Sequence, residues 1–258
     1  MTAPLLFITG ASSGIGQAMA LEWARRGGRL ALVARRGDEM RGWVAAQGWS
    51  VERAAVYVAD ARDVAAMTAA GRDCIAAQGL PDVVIANAGI SVGVDMSVEA
   101  DLDVLRRVLE TNNIGMAATF QPFIAPMRAR GAGRLVGIAS VAGVRGLPGH
   151  AAYSLSKAGV ISFCESLRVE LRSSGVRVVT IAPGYVDTPL TQGNSYSMPF
   201  LMPADKFARQ ALDAIAAGVG WRVIPWQMGL LARVLRILPN GVYDRLLAGR
   251  PRKARQSQ

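Results

Sequence analysis

The sequence predicts a single-domain α/β fold built on a doubly wound parallel sheet of about seven strands. Its 258 residues, of which 51% are hydrophobic, are enough to bury one large core. Short runs that are apolar along their whole length alternate with segments of helical character. Strands of this kind are buried on both faces, which is typical of a parallel sheet covered by helices on each side.

The predicted strands are separated by helices throughout the chain. The strands are residues 5–9, 30–34, 51–58, 82–86, 134–139, 176–182 and 221–225. The helices are residues 15–26, 38–47, 63–77, 98–130, 151–173 and 205–217. Pro122 or Pro126 is expected to break the long fourth helix. Residues 183–203 are polar and interrupted by prolines, so they are predicted to form a long loop.

A C-terminal helical extension, residues 226–249, is predicted to pack on the main unit, residues 1–225. Two helices are expected in it, over residues 226–239 and 242–247. The first carries an apolar stripe at helical spacing, formed by Leu231, Val234, Leu235 and Leu238. Three roles stay open for this basic amphipathic helix: a cap over a ligand site or a subunit contact, a peripheral contact with a membrane, and a contact with a partner protein. Residues 250–258 are predicted to be disordered.

The charge distribution argues against a nucleic-acid-binding protein. The net charge is +10, but the segment from Trp221 onward holds eight basic residues and one acid and so carries +7 of it. No zinc-finger, ribonucleoprotein or helix-turn-helix signature accompanies this charge.

Cys74 and Cys164 show neither a disulfide framework nor metal-ligand spacing, so we expect two core thiols and no metal site. With no signal-like N-terminus and no long apolar run, a cytoplasmic protein is expected.

A glycine-rich segment, residues 9–16, links the first strand to the first helix. Gly10, Gly14 and Gly16 allow a tight turn and let backbone amides approach a pyrophosphate at the helix N-terminus. The position directly after the first strand favours this interpretation over a helix start that happens to be rich in small residues.

A second constellation lies in the middle of the chain. Tyr153 and Lys157 are four residues apart, so in a helix their side chains share one face, and Ser140 lies 13 residues upstream. A nearby ammonium favours the phenolate and is expected to lower the pKa of the tyrosine toward the working range of an acid–base catalyst.

Ordered motifs over residues 5 to about 225 resemble the short-chain dehydrogenase/reductase family, whose members have a Rossmann-type fold. The matching blocks are Thr9–Gly16, Asp60, Asn87-Ala88-Gly89, Asn112 with Gly115, Ser140 with Tyr153 and Lys157, and residues 183–188. There are two departures: Ala61 follows Asp60 where the family usually has valine, and a second asparagine follows Asn112. We choose Asn112 because it lies three residues before Gly115.

The resemblance implies a role for each matched residue. Tyr153 is the general acid or base, Lys157 lowers its pKa and holds the nicotinamide ribose, Ser140 binds the substrate oxygen, and Asn112 keeps a water in a proton relay. The cofactor-binding residues are expected to be Gly10, Ser12, Ser13, Gly14, Ile15, Gly16, Arg35, Arg36, Asp60, Asn87, Ala88, Gly89, Tyr153, Lys157, Pro183, Gly184, Val186 and Thr188.

The end of the second strand predicts NADP(H) as the cofactor. Arg35 and Arg36 follow this strand, and the first acid is Asp38. An acid at the strand end would repel a 2′-phosphate, whereas guanidinium groups bind phosphate as charged, bidentate donors.

The function predicted from these residues is the interconversion of a secondary alcohol and a ketone by a homodimer or homotetramer. The substrate is expected to be apolar, since the loop 183–203 is rich in large side chains: Tyr185, Leu190, Tyr196, Met198, Phe200, Leu201 and Met202. A non-catalytic NADP(H)-sensing protein is the main alternative, and carbon–carbon reduction or epimerisation on the same scaffold also stays open. His150 is not expected to replace Tyr153.

Overall fold

A computed structural model describes residues 3–192, 194, 197–249 and 251–255. Its main sheet has seven parallel strands: Leu5–Thr9 (β1), Arg29–Ala34 (β2), Ala54–Val58 (β3), Val83–Ala86 (β4), Gly133–Ile138 (β5), Val176–Pro183 (β6) and Trp221–Ile224 (β9). Their order in the sheet is β3-β2-β1-β4-β5-β6-β9, which confirms the predicted fold. The order reverses between β1 and β4, and at such a point parallel sheets bind ligands beyond their carboxyl ends.

Helices cover both faces of the sheet. They are Gly14–Arg25 (α1), Gly37–Ala46 (α2), Val64–Gln78 (α3), Asp101–Leu109 (α4), Gly115–Arg130 (α5), Ala151–Glu170 (α6), Pro189–Gln192 (α7) and Ala204–Ala216 (α8). The core under α1 and α8 includes Met19 and Phe207, and the core on the other face includes Phe123 and Cys164. Because every central strand is apolar on both sides, each face of the sheet buries a separate layer of side chains.

The long fourth helical region differs from its prediction. Neither Pro122 nor Pro126 breaks it, since α5 continues through both. The interruption lies earlier, at a π-helical turn over Glu110–Ile114 between α4 and α5. This turn contains Asn112, so the irregular backbone is found at a residue that the sequence marks as functional.

The loop after β6 also has more structure than expected. It contains the two-stranded pair Val186–Asp187 (β7) and Met202–Pro203 (β8), with α7 between them. Tyr196, one of the large side chains noted in the sequence, lies outside the described residues.

The C-terminal extension forms two helices, Trp226–Ile237 (α9) and Asn240–Leu247 (α10). The predicted stripe on α9 is partly wrong: Leu231 and Val234 are exposed, while Met228 and Ala232 are the buried residues. The reason is the close approach of the helix to Gly184, where a Cβ would lie 2.7 Å from Cγ of Met228.

The tail also departs from its prediction. Residues 251–255 lie across the loop that follows β4, where the amide of Gly93 donates to the carbonyl of Ala254 (3.1 Å). Arg255 forms two hydrogen bonds with the buried carboxylate of Asp101, at 2.8 and 3.0 Å. These contacts explain why this part of the predicted disordered segment has a defined position.

In the described part of the chain, no helix combines the length and apolar character that are needed to cross a membrane. Cys74 and Cys164 are both buried free thiols, as expected for core residues.

Candidate active site

A cavity of about 680 Å³ opens at the carboxyl edge of the sheet. Nearly all the predicted site residues line it: Gly10, Ser12, Ser13, Gly14, Ile15, Arg35, Arg36, Asp60, Asn87, Ala88, Gly89, Ser140, Tyr153, Lys157, Pro183, Gly184, Val186 and Thr188. Gly16 and Asn112 are not part of the wall and lie behind it. The fold therefore gathers residues from the whole predicted set into one site.

The glycine-rich loop is shaped for the close approach of a ligand. Gly10 and Gly14 have φ of +66° and +56°, a conformation that favours glycine. A Cβ on Gly10 would lie 2.8 Å from Cα of Ala88, and one on Gly16 would lie 2.5 Å from Nδ2 of Asn87. Side chains at these positions would fill the cradle and press on β4, so the loop exposes its backbone to the cavity instead.

Asn87 holds this loop in position. Its Nδ2 donates to the carbonyls of Thr9 (3.0 Å) and Gly10 (3.2 Å). Thr9 Oγ1 accepts hydrogen bonds from the amides of Asn87 and Ala88, both at 3.1 Å. The ends of β1 and β4 are thus joined by side chains, and this link fixes the floor of the cavity. Sequence reasoning assigned Asn87 to the cofactor but missed the part played by Thr9.

An arginine cluster surrounds the far end of the cavity, beyond β2. Arg35 and Arg36 are exposed there, and Arg36 Nη2 lies 3.4 Å from Oγ of Ser12. The Asp60 carboxylate accepts from Arg62 Nη2 (2.8 Å) and from the Arg62 amide (2.9 Å), and these hydrogen bonds hold the pKa of Asp60 below its usual range. Arg62 was not predicted as a site residue; its charge two positions after Asp60 is the signal that could have found it.

At the centre of the site, α6 brings Tyr153 and Lys157 beside Ser140, which follows β5. Ser140 hydrogen-bonds the Tyr153 phenol. The Lys157 ammonium lies 5.7 Å from the centre of the Tyr153 ring and donates to the carbonyl of Ile138 (2.8 Å). Ser140, Lys157 and the phenol are thus close neighbours at one strand end.

The expected lowering of the Tyr153 pKa by Lys157 is not what this geometry gives. Burial raises the pKa of Tyr153, and the hydrogen bond from Ser140 only partly offsets it. Burial also lowers the pKa of Lys157, to about 8. The physical reason is that both groups lose water while the ammonium is directed to the Ile138 carbonyl rather than to the phenol oxygen. Tyr153 is therefore protonated near neutral pH.

Asn112 is buried behind the catalytic cluster. Its Oδ1 accepts from the amide of Ile90 (2.8 Å), and its Nδ2 donates to the Ile90 carbonyl and to Ser156 Oγ. A Cβ on Gly89 would lie 3.2 Å from Asn112 Oδ1 and 3.5 Å from Lys157 Nζ. The missing side chain of Gly89 therefore leaves a small polar gap between the asparagine and the lysine.

The segment after β6 also lines the cavity and contacts the glycine-rich loop. A Cβ on Gly14 would lie 3.2 Å from Cβ of Thr188, so the two loops are in contact. Thr188 is buried and its amide donates to Thr191 Oγ1 (3.1 Å). Thr188 is thereby fixed against the glycine loop.

Several wall residues were not predicted. His150, Asn194 and Lys253 line the cavity together with the catalytic group. Burial lowers the pKa of His150, which contacts the Pro148 carbonyl through Nδ1 (3.0 Å). Lys253 lies in the segment that was predicted to be disordered, and no local pattern could have assigned it to the site.

Comparison with known proteins agrees with this geometry. The pattern of the family described as short chain dehydrogenase matches residues 5–198. The chain belongs to this family. It is an oxidoreductase of a family whose members use nicotinamide cofactors, act on small molecules and form oligomers.

Two relatives and two solved structures illustrate the similarity. An uncharacterized oxidoreductase of Myxococcus xanthus is 40% identical over 240 residues, covering 92% of this chain and 93% of the relative. The cis-4-hydroxycyclohexanecarboxylate dehydrogenase of Sinomonas cyclohexanicum is 35% identical, with 81% and 82% covered. A 3-ketoacyl-(acyl-carrier-protein) reductase of Brucella melitensis, complexed with NADH, has a TM-score of 0.77 at 25% identity, with 86% and 96% covered. A short chain dehydrogenase of Burkholderia cenocepacia, in complex with NADP, has a TM-score of 0.81 at 22% identity, with 95% and 98% covered.

Proposed function

We propose that this protein is an NADP(H)-dependent oxidoreductase that interconverts a secondary alcohol and a ketone, with Tyr153 as general acid and base. The observation that carries the proposal is that Ser140, Tyr153 and Lys157 line the same cavity as the glycine loop. A relative that is named as a dehydrogenase of a hydroxy-substituted ring supports the alcohol–ketone reaction class.

The residues of the cavity fit a nicotinamide dinucleotide. The backbone cradle at Gly10 and Gly14 suits a pyrophosphate at the N-terminus of α1. We assign Thr188 to the nicotinamide and Lys157 to its ribose. The chemistry that this cofactor supplies when bound is hydride transfer at the substrate carbon.

NADP(H) rather than NAD(H) is favoured by charge at the end of β2. Arg35 and Arg36 are exposed beside Ser12, and no acid follows the strand directly. Guanidinium groups placed there would bind a 2′-phosphate as charged donors. Arg62 is held by a hydrogen bond of 2.8 Å to Asp60, whereas Arg35 lies 4.0 Å from the same carboxylate. Arg36 pairs at 3.0 Å with Glu39, and both side chains of this pair are exposed. We therefore assign Arg35 and Arg36 to the phosphate, which would replace these exposed contacts.

Tyr153 carries the proton. The raised pKa keeps the phenol protonated at neutral pH, so the acid form is present, but it also makes the phenol a weaker acid. Proton transfer therefore depends on the negative charge that develops on a carbonyl oxygen positioned by Ser140. The proton is then replaced from Lys157 through the polar gap beside Gly89 and Asn112. In the oxidative direction the phenol must first lose its own proton, because only the phenolate of Tyr153 can accept the proton of the alcohol.

A protein that senses NADP(H) without turnover is the competing function, and the intact Ser140, Tyr153 and Lys157 cluster favours the enzyme.

We propose an apolar substrate body, because Ile90, Leu147 and Tyr185 line the same cavity as these three residues. We further propose a cytoplasmic homodimer or homotetramer, in which the exposed apolar residues of α9 contact another subunit.

The cofactor proposal is tested by measuring the affinities for NADPH and NADH in the wild type and in Arg35→Ala. We expect the wild type to prefer NADPH, and Arg35→Ala to lose roughly tenfold or more in NADPH affinity with little change for NADH. Arg41→Ala, which removes an exposed arginine from α2, is the matched control and should keep the preference. A wild type without preference for NADPH would contradict the proposal.

A further inference from the structure

The C-terminal strap, residues 251–255, contacts three segments that line the cavity, those that follow β4, β5 and β6. We call the part of the cavity beside these segments its substrate end. The strap contacts the loop after β4 through Gly93 and Asp101, as described above. It passes the loop after β5 at Gly149, where a Cβ would lie 2.8 Å from Cβ of Arg252. It reaches the loop after β6 through Lys253, whose Nζ donates to Asn194 Oδ1 at 3.0 Å.

The fit between strap and loops depends on two glycines. A Cβ on Gly93 would lie 2.2 Å from the carbonyl oxygen of Lys253 and 2.5 Å from that of Ala254, while one on Gly149 would lie 2.8 Å from Cβ of Arg252. A larger residue at either position would push the strap away from the cavity. The strap is thus accommodated by the shape of the loops, and Arg252 and Arg255 anchor it to Asp95 and Asp101.

Lys253 is the residue of the strap that faces inward. The other four strap residues are exposed, whereas Lys253 is half-buried and lines the cavity. Arg252 and Arg255 are paired with acids, but no carboxylate forms an ion pair with Lys253 among residues 3–192, 194, 197–249 and 251–255. Its contact with Asn194 is to a neutral amide, so the charge of the ammonium is not compensated there.

The cavity wall is positively charged, like Lys253 itself. Asp60 is the only acid among the described residues that line the cavity, and it is bound by Arg62 at the far end. Burial and the nearby Lys253 charge both lower the pKa of His150, so this wall residue favours the neutral form. Val92, Leu147 and Tyr185, which line the same cavity, carry no charge either. An ammonium that is partly withdrawn from water binds a negatively charged group strongly when no protein carboxylate competes for it.

We propose that Lys253 binds a carboxylate of the substrate, so that the enzyme acts on oxo acids or hydroxy acids with an apolar body. This inference rests on the proposed function and deepens it by naming the substrate class. Reduction of an oxo acid adds a hydride from NADPH to the carbonyl carbon and a proton from Tyr153 to its oxygen, and leaves the carboxylate unchanged. Lys253 is a specificity-determining residue that contacts the substrate away from the reacting carbon.

The test compares matched ketones in which a carboxylate is replaced by its neutral methyl ester. Methyl-ketone acids from 4-oxopentanoate to 8-oxononanoate are each assayed beside their methyl esters, with NADPH absorbance as the readout. In the wild type we expect kcat/KM for the acid of best-fitting length to exceed that of its ester by about tenfold or more, mainly through KM. In Lys253→Met the ratio of acid to ester should fall close to one.

A control variant removes a lysine elsewhere. Lys206→Met changes the same residue type on α8, outside the cavity wall, and should keep the wild-type ratio of acid to ester. An equal preference for acid and ester in the wild type at every length would overturn the proposal. So would a loss of NADPH affinity in Lys253→Met that matches its loss of acid turnover, because the lysine would then contact the cofactor.

A binding measurement separates this inference from the proposed function. The same acids are titrated calorimetrically into wild type, Lys253→Met and Lys206→Met, each with and without NADPH. Acid binding that depends on Lys253 supports the carboxylate site even if no ketone is reduced, and the absence of turnover would then contradict only the proposed function. Turnover of neutral ketones without Lys253-dependent acid binding would overturn the inference and leave the proposed function standing.

Discussion

The cavity has two ends that are held together by different kinds of contact: the nucleotide end, at the glycine-rich loop, and the substrate end, at the strap. At the nucleotide end, the contacts join neighbouring strand ends, as between Thr9 and Asn87, and the glycines lie in one contiguous loop. At the substrate end, three separate loops meet a strap from the far end of the chain, and Arg255 pairs with Asp101 across 154 residues. The contacts at the first end thus follow from the sheet, whereas those at the second end depend on loops that are far apart in the sequence.

The largest effect on stability is expected at the nucleotide end, from Gly16→Ala. The added methyl group would lie 2.5 Å from Nδ2 of Asn87, so either the loop or β4 must move. We expect a loss of about 1 to 3 kcal/mol in the free energy of unfolding, as for other overpacked sites, together with a loss of cofactor affinity. Urea unfolding and NADPH titration measure the two effects.

Gly42→Ala is the matched control for this substitution. Gly42 also lies in a helix, but a Cβ there would have nothing within 4 Å. The same change should therefore stabilise the fold by about 0.5 to 1 kcal/mol, because alanine favours the helix and loses less entropy on folding. If both variants unfolded alike, the close packing assigned to the glycine loop would be wrong.

A smaller effect is expected at Lys157, where the two ends of the cavity meet. Its pKa is about 8 in the folded protein, below the usual 10.5, because burial disfavours the charged form. The unfolded chain thus binds more protons between these values, so this group destabilises the fold below about pH 8 and the penalty is relieved as pH rises. We expect the free energy of unfolding to gain about 1 kcal/mol between roughly pH 8 and pH 9, relative to Lys157→Met.

Subtracting the variant isolates this group from others that titrate nearby. Burial raises the pKa of Cys164 to about 11, so this thiol works in the opposite direction at still higher pH. Urea unfolding of both proteins at several pH values gives the difference. A difference that is independent of pH would contradict the lowered pKa of Lys157.

Sequence reasoning predicted the nucleotide end well and the substrate end poorly, and the contrast between the two ends explains why. The glycine loop and the strand order follow from local patterns, since periodicity and motif spacing determine where the strands end. The π-helical turn at Asn112 and the exposed side of α9 depend on how helices pack, which hydrophobic spacing alone does not specify. The strap could not be found because its polar sequence resembles a disordered tail, and its position depends on Gly93 and Asp101.

The same distinction applies to the catalytic group. The spacing of Tyr153 and Lys157 placed both on one face of α6, and the fold brings Ser140 beside them. Their pKa values were not predictable from spacing, because burial outweighs the attraction between phenolate and ammonium in this structure. Motifs thus predicted residues that the fold brings together, but not their protonation.

The most direct test of the account is the rate of NADPH-dependent ketone reduction in Tyr153→Phe at saturating cofactor. The substitution removes only the phenol oxygen, so Ser140 and Lys157 stay in place while the proton donor is lost. We predict that kcat falls by about 10²- to 10⁴-fold, with NADPH affinity within a few-fold of the wild type. A Tyr153→Phe enzyme that reduces the ketone at the wild-type rate would contradict the assignment of Tyr153 as the acid.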